Sequence, residues 1–140
     1  MLSKIAVAVT VVFTLVFAGA ALAGKSSGSS SIAGPYLVTA STDGAVTGAA
    51  TITPSFGQTI TFNVSTTETS NPFVNLKCYQ GGVLVANGWS AFFPGGTGQD
   101  FGLYSPMWKS GAANCRADLG MVTSNGRWKV LASTSFAVNA

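Results

Sequence analysis

The chain lacks histidine and is poor in acidic residues: of its 140 residues none is histidine and four are acidic. Histidine is the commonest general base, so its absence excludes Ser–His and Cys–His catalysis. The four acidic residues are Asp43, Glu68, Asp100 and Asp118, and no two of them share a motif. A glycosidase normally needs two paired carboxylates, and calcium needs several convergent oxygens. We therefore expect no enzyme, no metal site and no cofactor.

Positive charge is also sparse. Seven Lys and Arg residues give a formal net charge of +3, and they form no basic stripe of the kind that follows a phosphate backbone. Residues 19–26 match the P-loop pattern and residues 24–28 match the nucleophile-elbow pattern. Both motifs need a strand before them and a helix after them, which a Gly/Ser-rich context does not supply. We expect neither a nucleotide nor a nucleic acid as a partner.

Residues 1–23 have the three parts of a secretory signal peptide. Lys4 precedes an apolar run over residues 5–18, and Ala21-Leu22-Ala23 forms a small-residue cleavage box. The pattern predicts a signal-peptide helix, cleavage after Ala23 and a secreted, extracellular protein. In the alternative the segment stays uncleaved, because residues 5–23 are about long enough to span a bilayer. The protein would then be membrane-tethered, and only in that case is the membrane a partner.

Export gives the two cysteines a role. Disulfides form and persist in oxidising compartments, and two cysteines allow one intramolecular bridge, Cys78–Cys115.

Residues 24–34 are rich in Gly and Ser, which predicts a flexible linker. Residues 35–140 are the right length for one domain with one core.

The residues after the linker carry the pattern of a many-stranded β-fold. No stretch has apolar residues at helical spacing, whereas Val, Thr, Phe and Ile recur between Gly, Asn and Ser. Gly81-Gly82 predicts a two-residue hairpin turn. Before the last hairpin, strands are predicted over residues 36–39, 47–53, 58–66, 73–80, 83–86 and 101–104.

The C-terminal hairpin has the strongest local signal. Asn125-Gly126 is the preferred pair for a two-residue type I′ turn. The register that follows from this turn pairs Cys115 with Phe136 and keeps apolar residues on one face. Gly120 is a candidate bulge position in that register.

Aromatic residues are the best lead to a binding site. Flat rings stack on sugars or anchor a protein partner, and Tyr79, Trp108 and Tyr104 are the predicted ligand-binding residues. Trp89 and Trp128 fall on the core faces of their predicted hairpins, so we expect them in the core. The expected ligand is a glycan or an extracellular protein.

Two stretches resemble a known type of domain. Residues 53–62, Thr-Pro-Ser-Phe-Gly-Gln-Thr-Ile-Thr-Phe, resemble the start of the second strand in many bacterial immunoglobulin-like domains. Residues 108–117, with Trp-x-x-Gly before a cysteine, and residues 131–138, Leu-Ala-Ser-Thr-Ser-Phe-Ala-Val, resemble uncharacterised secreted bacterial domains of that type. The resemblance implies an immunoglobulin-like β-sandwich of seven or eight antiparallel strands in an extracellular setting. It implies no ligand site.

The chain departs from antibody-type domains in its cysteines. Antibody-type domains carry their first cysteine on the second strand, which residues 58–66 resemble, whereas Cys78 lies on the following strand over residues 73–80. Ala113 stands where the tyrosine corner would be. A bond between Cys78 and Cys115 would then link neighbouring strands of one sheet. We expect a monomeric, secreted, non-catalytic binding or structural module. The alternatives are a carbohydrate-binding module that uses the exposed aromatics and a cell-surface assembly subunit that pairs through an edge strand.

Overall fold

The structure is a computed structural model, which describes residues 28–39, 52–96 and 98–140. The predicted signal peptide, the first part of the linker and most of the predicted strand over residues 47–53 lie outside these residues. Among the residues that are described, no helix has the length and apolarity needed to cross a membrane.

The described residues form two antiparallel sheets and no helix. One sheet has the order β1-β2-β5 and the other the order β4-β3-β6-β7. This confirms an all-β fold with the arrangement of a sandwich. The strands are β1 (Ser30–Leu37), β2 (Thr59–Thr66), β3 (Phe73–Gln80), β4 (Val83–Ala91), β5 (Phe101–Gly102), β6 (Ala113–Val122) and β7 (Trp128–Val138).

The core lies between the two sheets and follows from alternation along the strands. Ile60 and Phe62 of β2 are buried against Val74 and Leu76 of β3 in one cluster. Successive side chains of a strand point to opposite faces, so every second residue reaches the core. The strand predicted over residues 73–80 is confirmed at both ends, and the strand predicted over residues 58–66 begins one residue later than expected.

Several predicted boundaries change, and the strand predicted over residues 83–86 extends to Ala91. β1 begins at Ser30 rather than near Pro35, so the linker ends earlier than predicted. Its serine-rich start is extended because Ser31 and Ile32 pair with the edge of β2. The strand predicted over residues 101–104 shortens to β5, and Ile52 and Thr53 are not in a strand.

Cys78 and Cys115 form a disulfide within the four-stranded sheet. The two residues are directly opposite each other on β3 and β6, with their Cα atoms 4.1 Å apart. This close approach is typical of a non-hydrogen-bonded antiparallel pair. Both cysteines are buried in the core cluster. The predicted pairing and its location in one sheet are confirmed.

The last hairpin has the predicted register far from its turn, but the turn itself differs. Cys115 pairs with Phe136, as expected. A type I′ turn needs positive φ at both central residues, whereas Gly126 has a φ of 76° and Asn125 is not positive. The Gly126 amide donates to the Thr123 carbonyl at 2.8 Å, which makes a three-residue loop. This loop shifts the register by one residue, and a bulge in β7 shifts it back.

Candidate functional site

One of the three predicted ligand-binding aromatics, Trp108, belongs to the core. Trp108 is 0% exposed, and its indole Nε1 donates to the Gly111 carbonyl at 3.0 Å. Its ring packs against Phe56, with ring centroids 5.3 Å apart. The prediction that Trp108 is exposed is therefore wrong.

Of the other two predicted aromatics, one lies in a loop and one on a strand. Tyr104 is 62% exposed but follows β5 in the three-stranded sheet, where its ring lies against Gly102. Tyr79 is exposed on β3 of the four-stranded sheet. The structure therefore does not bring Tyr79, Trp108 and Tyr104 together as one site.

Trp89 is exposed, so the prediction that it lies in the core is wrong. The turn between β3 and β4 is the predicted one, since Gly81 and Gly82 both have positive φ. Cys78 pairs with Ala86 but Tyr79 pairs with Leu84, so one extra residue enters β4 as a bulge. A slip of one residue moves every later side chain to the other face.

The β4 bulge therefore decides where Trp89 lies. The extra residue is Val85, which is buried. Trp89 then lies opposite Asn75, instead of opposite the core residue Val74. The tryptophan is 54% exposed on the face turned away from the core.

A second bulge has the same effect on Trp128. Leu119 pairs with Ala132 but Gly120 pairs with Val130, so β7 also carries one extra residue. Trp128 consequently reaches the face on which Trp89 lies. The two rings meet edge to face, with centroids 4.6 Å apart and planes inclined at 77°.

We call this side of the four-stranded sheet the outer face. Of the cross-strand rows that alternation gives it, three contain amide, hydroxyl and charged side chains beside the aromatic ones. The rows are Trp89-Asn75-Asp118-Ser133, Asn87-Lys77-Arg116-Ser135 and Leu84-Tyr79-Asn114-Ala137.

The amide of Asn75 is fixed in the row that contains Trp89. Asn75 is only 2% exposed, although it lies on the outer face. Its Nδ2 donates to Asn87 Oδ1 at 2.9 Å and to the Gly88 carbonyl at 3.1 Å. A buried amide held by two hydrogen bonds makes this part of the face rigid.

Three side chains form a polar network next to Asn75. Arg116 Nε donates to Asp118 Oδ1 at 2.7 Å, and Arg116 Nη2 donates to Ser133 Oγ at 3.1 Å. Ser133 Oγ in turn donates to Asp118 Oδ1 at 2.5 Å. The carboxylate is thus occupied by internal partners, while the guanidinium side chain remains exposed. The network therefore fixes the position of the guanidinium group on the outer face.

A shallow depression of about 390 Å³ lies at the Tyr79 end of the outer face. Tyr79, Asn114, Arg116 and Ser135 contribute to its lining. It is therefore continuous with the row that contains Lys77 and Arg116.

A metal site is a separate question. Within residues 28–39, 52–96 and 98–140, no three His, Cys, Asp or Glu side chains come together as metal ligands would.

The free edge of β4 is partly covered. The Ser105 hydroxyl donates to the Val85 carbonyl. At the other end, a side chain on Gly96 would meet the Ala91 carbonyl oxygen at 2.7 Å, so that turn lies against the edge. These contacts cover the β4 edge at Val85 and at Ala91, which limits its pairing with another strand at these two points.

We expect Gly120→Ala to disturb the tryptophan pair. A Cβ atom at Gly120 would meet the Lys129 carbonyl oxygen at 2.5 Å and would overlap the Trp128 ring. Relief requires a shift of backbone and ring, which we expect to lower the free energy of unfolding by about 1–3 kcal/mol. Chemical denaturation and near-ultraviolet circular dichroism measure the two effects. An unchanged spectrum and midpoint would contradict the packing of Trp128 over Gly120.

Comparison with known proteins finds no relative: no family model, no curated protein and no solved structure matches the chain.

Proposed function

We propose that the chain is a secreted, non-catalytic carbohydrate-binding module of the immunoglobulin-like class, and that the outer face is its binding surface. One observation carries the proposal: two tryptophans that simple alternation would bury are each turned outward by a bulge. Bulges frequently re-aim a side chain at a functional site. A large apolar ring that stays exposed contributes less to the stability of the fold than a buried one. Its exposure therefore points to a use at the surface.

The surroundings of Trp89 favour a sugar over a protein as the ligand. A sugar ring offers an apolar face and a rim of hydroxyl groups. Trp89 can stack on the first, and Asn87 and Ser133 can hydrogen-bond to the second. Lysine and aspartate are depleted at protein interfaces, whereas Lys77 and Asp118 lie within the rows of the outer face.

The strand order supports the immunoglobulin-like class. The order β1-β2-β5 corresponds to strands A, B and E, and β3-β6-β7 corresponds to strands C, F and G. β4 pairs with the strand at position C, where variable-type domains also carry an additional strand. Export is supported by the signal pattern over residues 1–23 and by the buried Cys78–Cys115 bond, since such bonds persist in oxidising compartments.

Trp89→Ala is expected to weaken glycan binding tenfold or more while the domain stays folded. The ring is exposed, so its removal takes away contact with the ligand and little of the core. A glycan array that contains neutral and acidic polysaccharides identifies the ligand, and titration by tryptophan fluorescence or calorimetry gives the affinity.

Tyr104→Ala is the matched control, because Tyr104 is also an exposed aromatic residue but lies off the outer face, in the loop after β5. Its affinity is expected to equal that of the unmodified chain. Equal loss in both variants, or full binding by Trp89→Ala, would contradict the outer face as the binding surface.

A further inference from the structure

Two cations face each other on the outer face. Lys77 on β3 lies directly opposite Arg116 on β6. Directly opposed residues of an antiparallel pair have their Cβ atoms about 4.5–5.5 Å apart, and like charges at such positions destabilise the sheet. An arrangement that costs stability and sits beside an exposed tryptophan is best explained by a ligand.

The outer face pairs only one of these two cations with an acid of its own. Asp118 is the one acid in the three rows, and it already accepts hydrogen bonds from Arg116 and Ser133. The other ion pair among the described residues joins Lys129 to Glu68 at 2.9 Å, and Lys129 lowers the pKa of that carboxyl. One positive charge, on Lys77, therefore remains without an anionic partner among the residues described.

Aromatic rings lie on both sides of the cations. Trp89 is in the row before Lys77 and Arg116, and Tyr79 is in the row after them. Residues two apart in a strand are about 6.6 Å apart, so the rows that contain Trp89, the two cations and Tyr79 follow each other at that interval. The depression beside Tyr79 extends from the ring to Arg116.

We infer that the outer face binds an acidic polysaccharide, with sugar rings stacked on Trp89 and Tyr79 and a uronate carboxylate between Lys77 and Arg116. This inference rests on the proposed function, and it specifies the ligand's charge. The carboxylate accepts hydrogen bonds from both cations and cancels their repulsion. An extended polymer suits a site in which ring, cations and ring are arranged in series.

The test compares polymers that differ only in charge. Polygalacturonate and alginate are each titrated against the full chain beside their methyl-esterified forms, in which the carboxylates are neutral. We expect at least one acidic polymer to bind tenfold or more tightly than its ester. We also expect added salt to weaken the binding of the acid more than that of the ester.

Lys77→Gln separates a specific site from general attraction to a cationic protein. It is expected to remove most of the preference for the acid over the ester. Lys109→Gln is the matched control, because Lys109 is an exposed cation outside the three rows, and it is expected to keep that preference. Trp89→Ala is expected to weaken the binding of both polymer forms.

Three results would overturn the inference. Binding of neutral glycans that depends on Trp89, with no preference for acids, would overturn it and leave the proposed function standing. Equal losses in Lys77→Gln and Lys109→Gln, or equally tight binding of polyglutamate, would reduce it to non-specific charge attraction. Failure of every neutral and acidic glycan to bind would overturn both proposals.

Discussion

Replacing Cys78 and Cys115 together by alanine is expected to lower the free energy of unfolding by at least about 4 kcal/mol. The two cysteines are 37 residues apart in sequence, and the bond restricts the unfolded chain by closing that loop. Both side chains are also buried in the core, so the variant loses packing in addition. Single domains are typically stable by only about 5–15 kcal/mol, so the loss is a large part of the total.

Urea denaturation of the variant and the unmodified chain measures this loss. The bond is buried, so the reductant must act on the unfolded chain before refolding. Reduction is expected to lower the midpoint of the unmodified chain towards that of the variant and to leave the variant unchanged. Equal midpoints for the variant and the oxidised chain would contradict a stabilising role for the bond.

Regular alternation made much of the fold predictable. The period of two along β3 assigns Val74, Leu76 and Cys78 to the same buried face, and all three are buried in the structure. Gly81-Gly82 fixes a two-residue turn because both residues adopt positive φ at no steric cost. Local chemistry and global packing agree in these elements, which is why the sequence suffices for them.

The candidate site depends on the two places where alternation breaks. Val83, Leu84, Val85 and Ala86 are all apolar, so the sequence there does not show which residue is extra. A bulge at that point changes the face of Trp89, and no local pattern fixes its position. Gly120 indicates the bulge between β6 and β7, but the face of Trp128 also depends on the length of the turn.

Trp108 is misassigned for a different reason. Pro106 and Gly111 indicate a loop, and loops usually run over the surface. A tryptophan in a loop can nevertheless be buried when its indole N–H finds a partner, and the Gly111 carbonyl supplies one. That hydrogen bond depends on the path of the loop, which residue types and spacing do not determine.

Trp108→Ala is expected to lower the free energy of unfolding by about 3–5 kcal/mol. The side chain is fully buried against Phe56, so its loss opens a large cavity and leaves the Gly111 carbonyl without its indole donor. Trp108→Phe keeps part of the ring contact and is expected to cost less. Chemical denaturation of both variants gives the two free energies.

Trp89→Ala is the matched control for Trp108→Ala, since it removes the same side chain from an exposed position. The two tryptophans are expected to show opposite behaviour: removal of Trp108 lowers stability, and removal of Trp89 lowers glycan affinity. At temperatures where Trp108→Ala is still folded, its affinity is expected to match that of the unmodified chain. A stable Trp108→Ala variant that no longer binds glycan would instead make Trp108 a ligand-binding residue, and the outer face could not be the whole site.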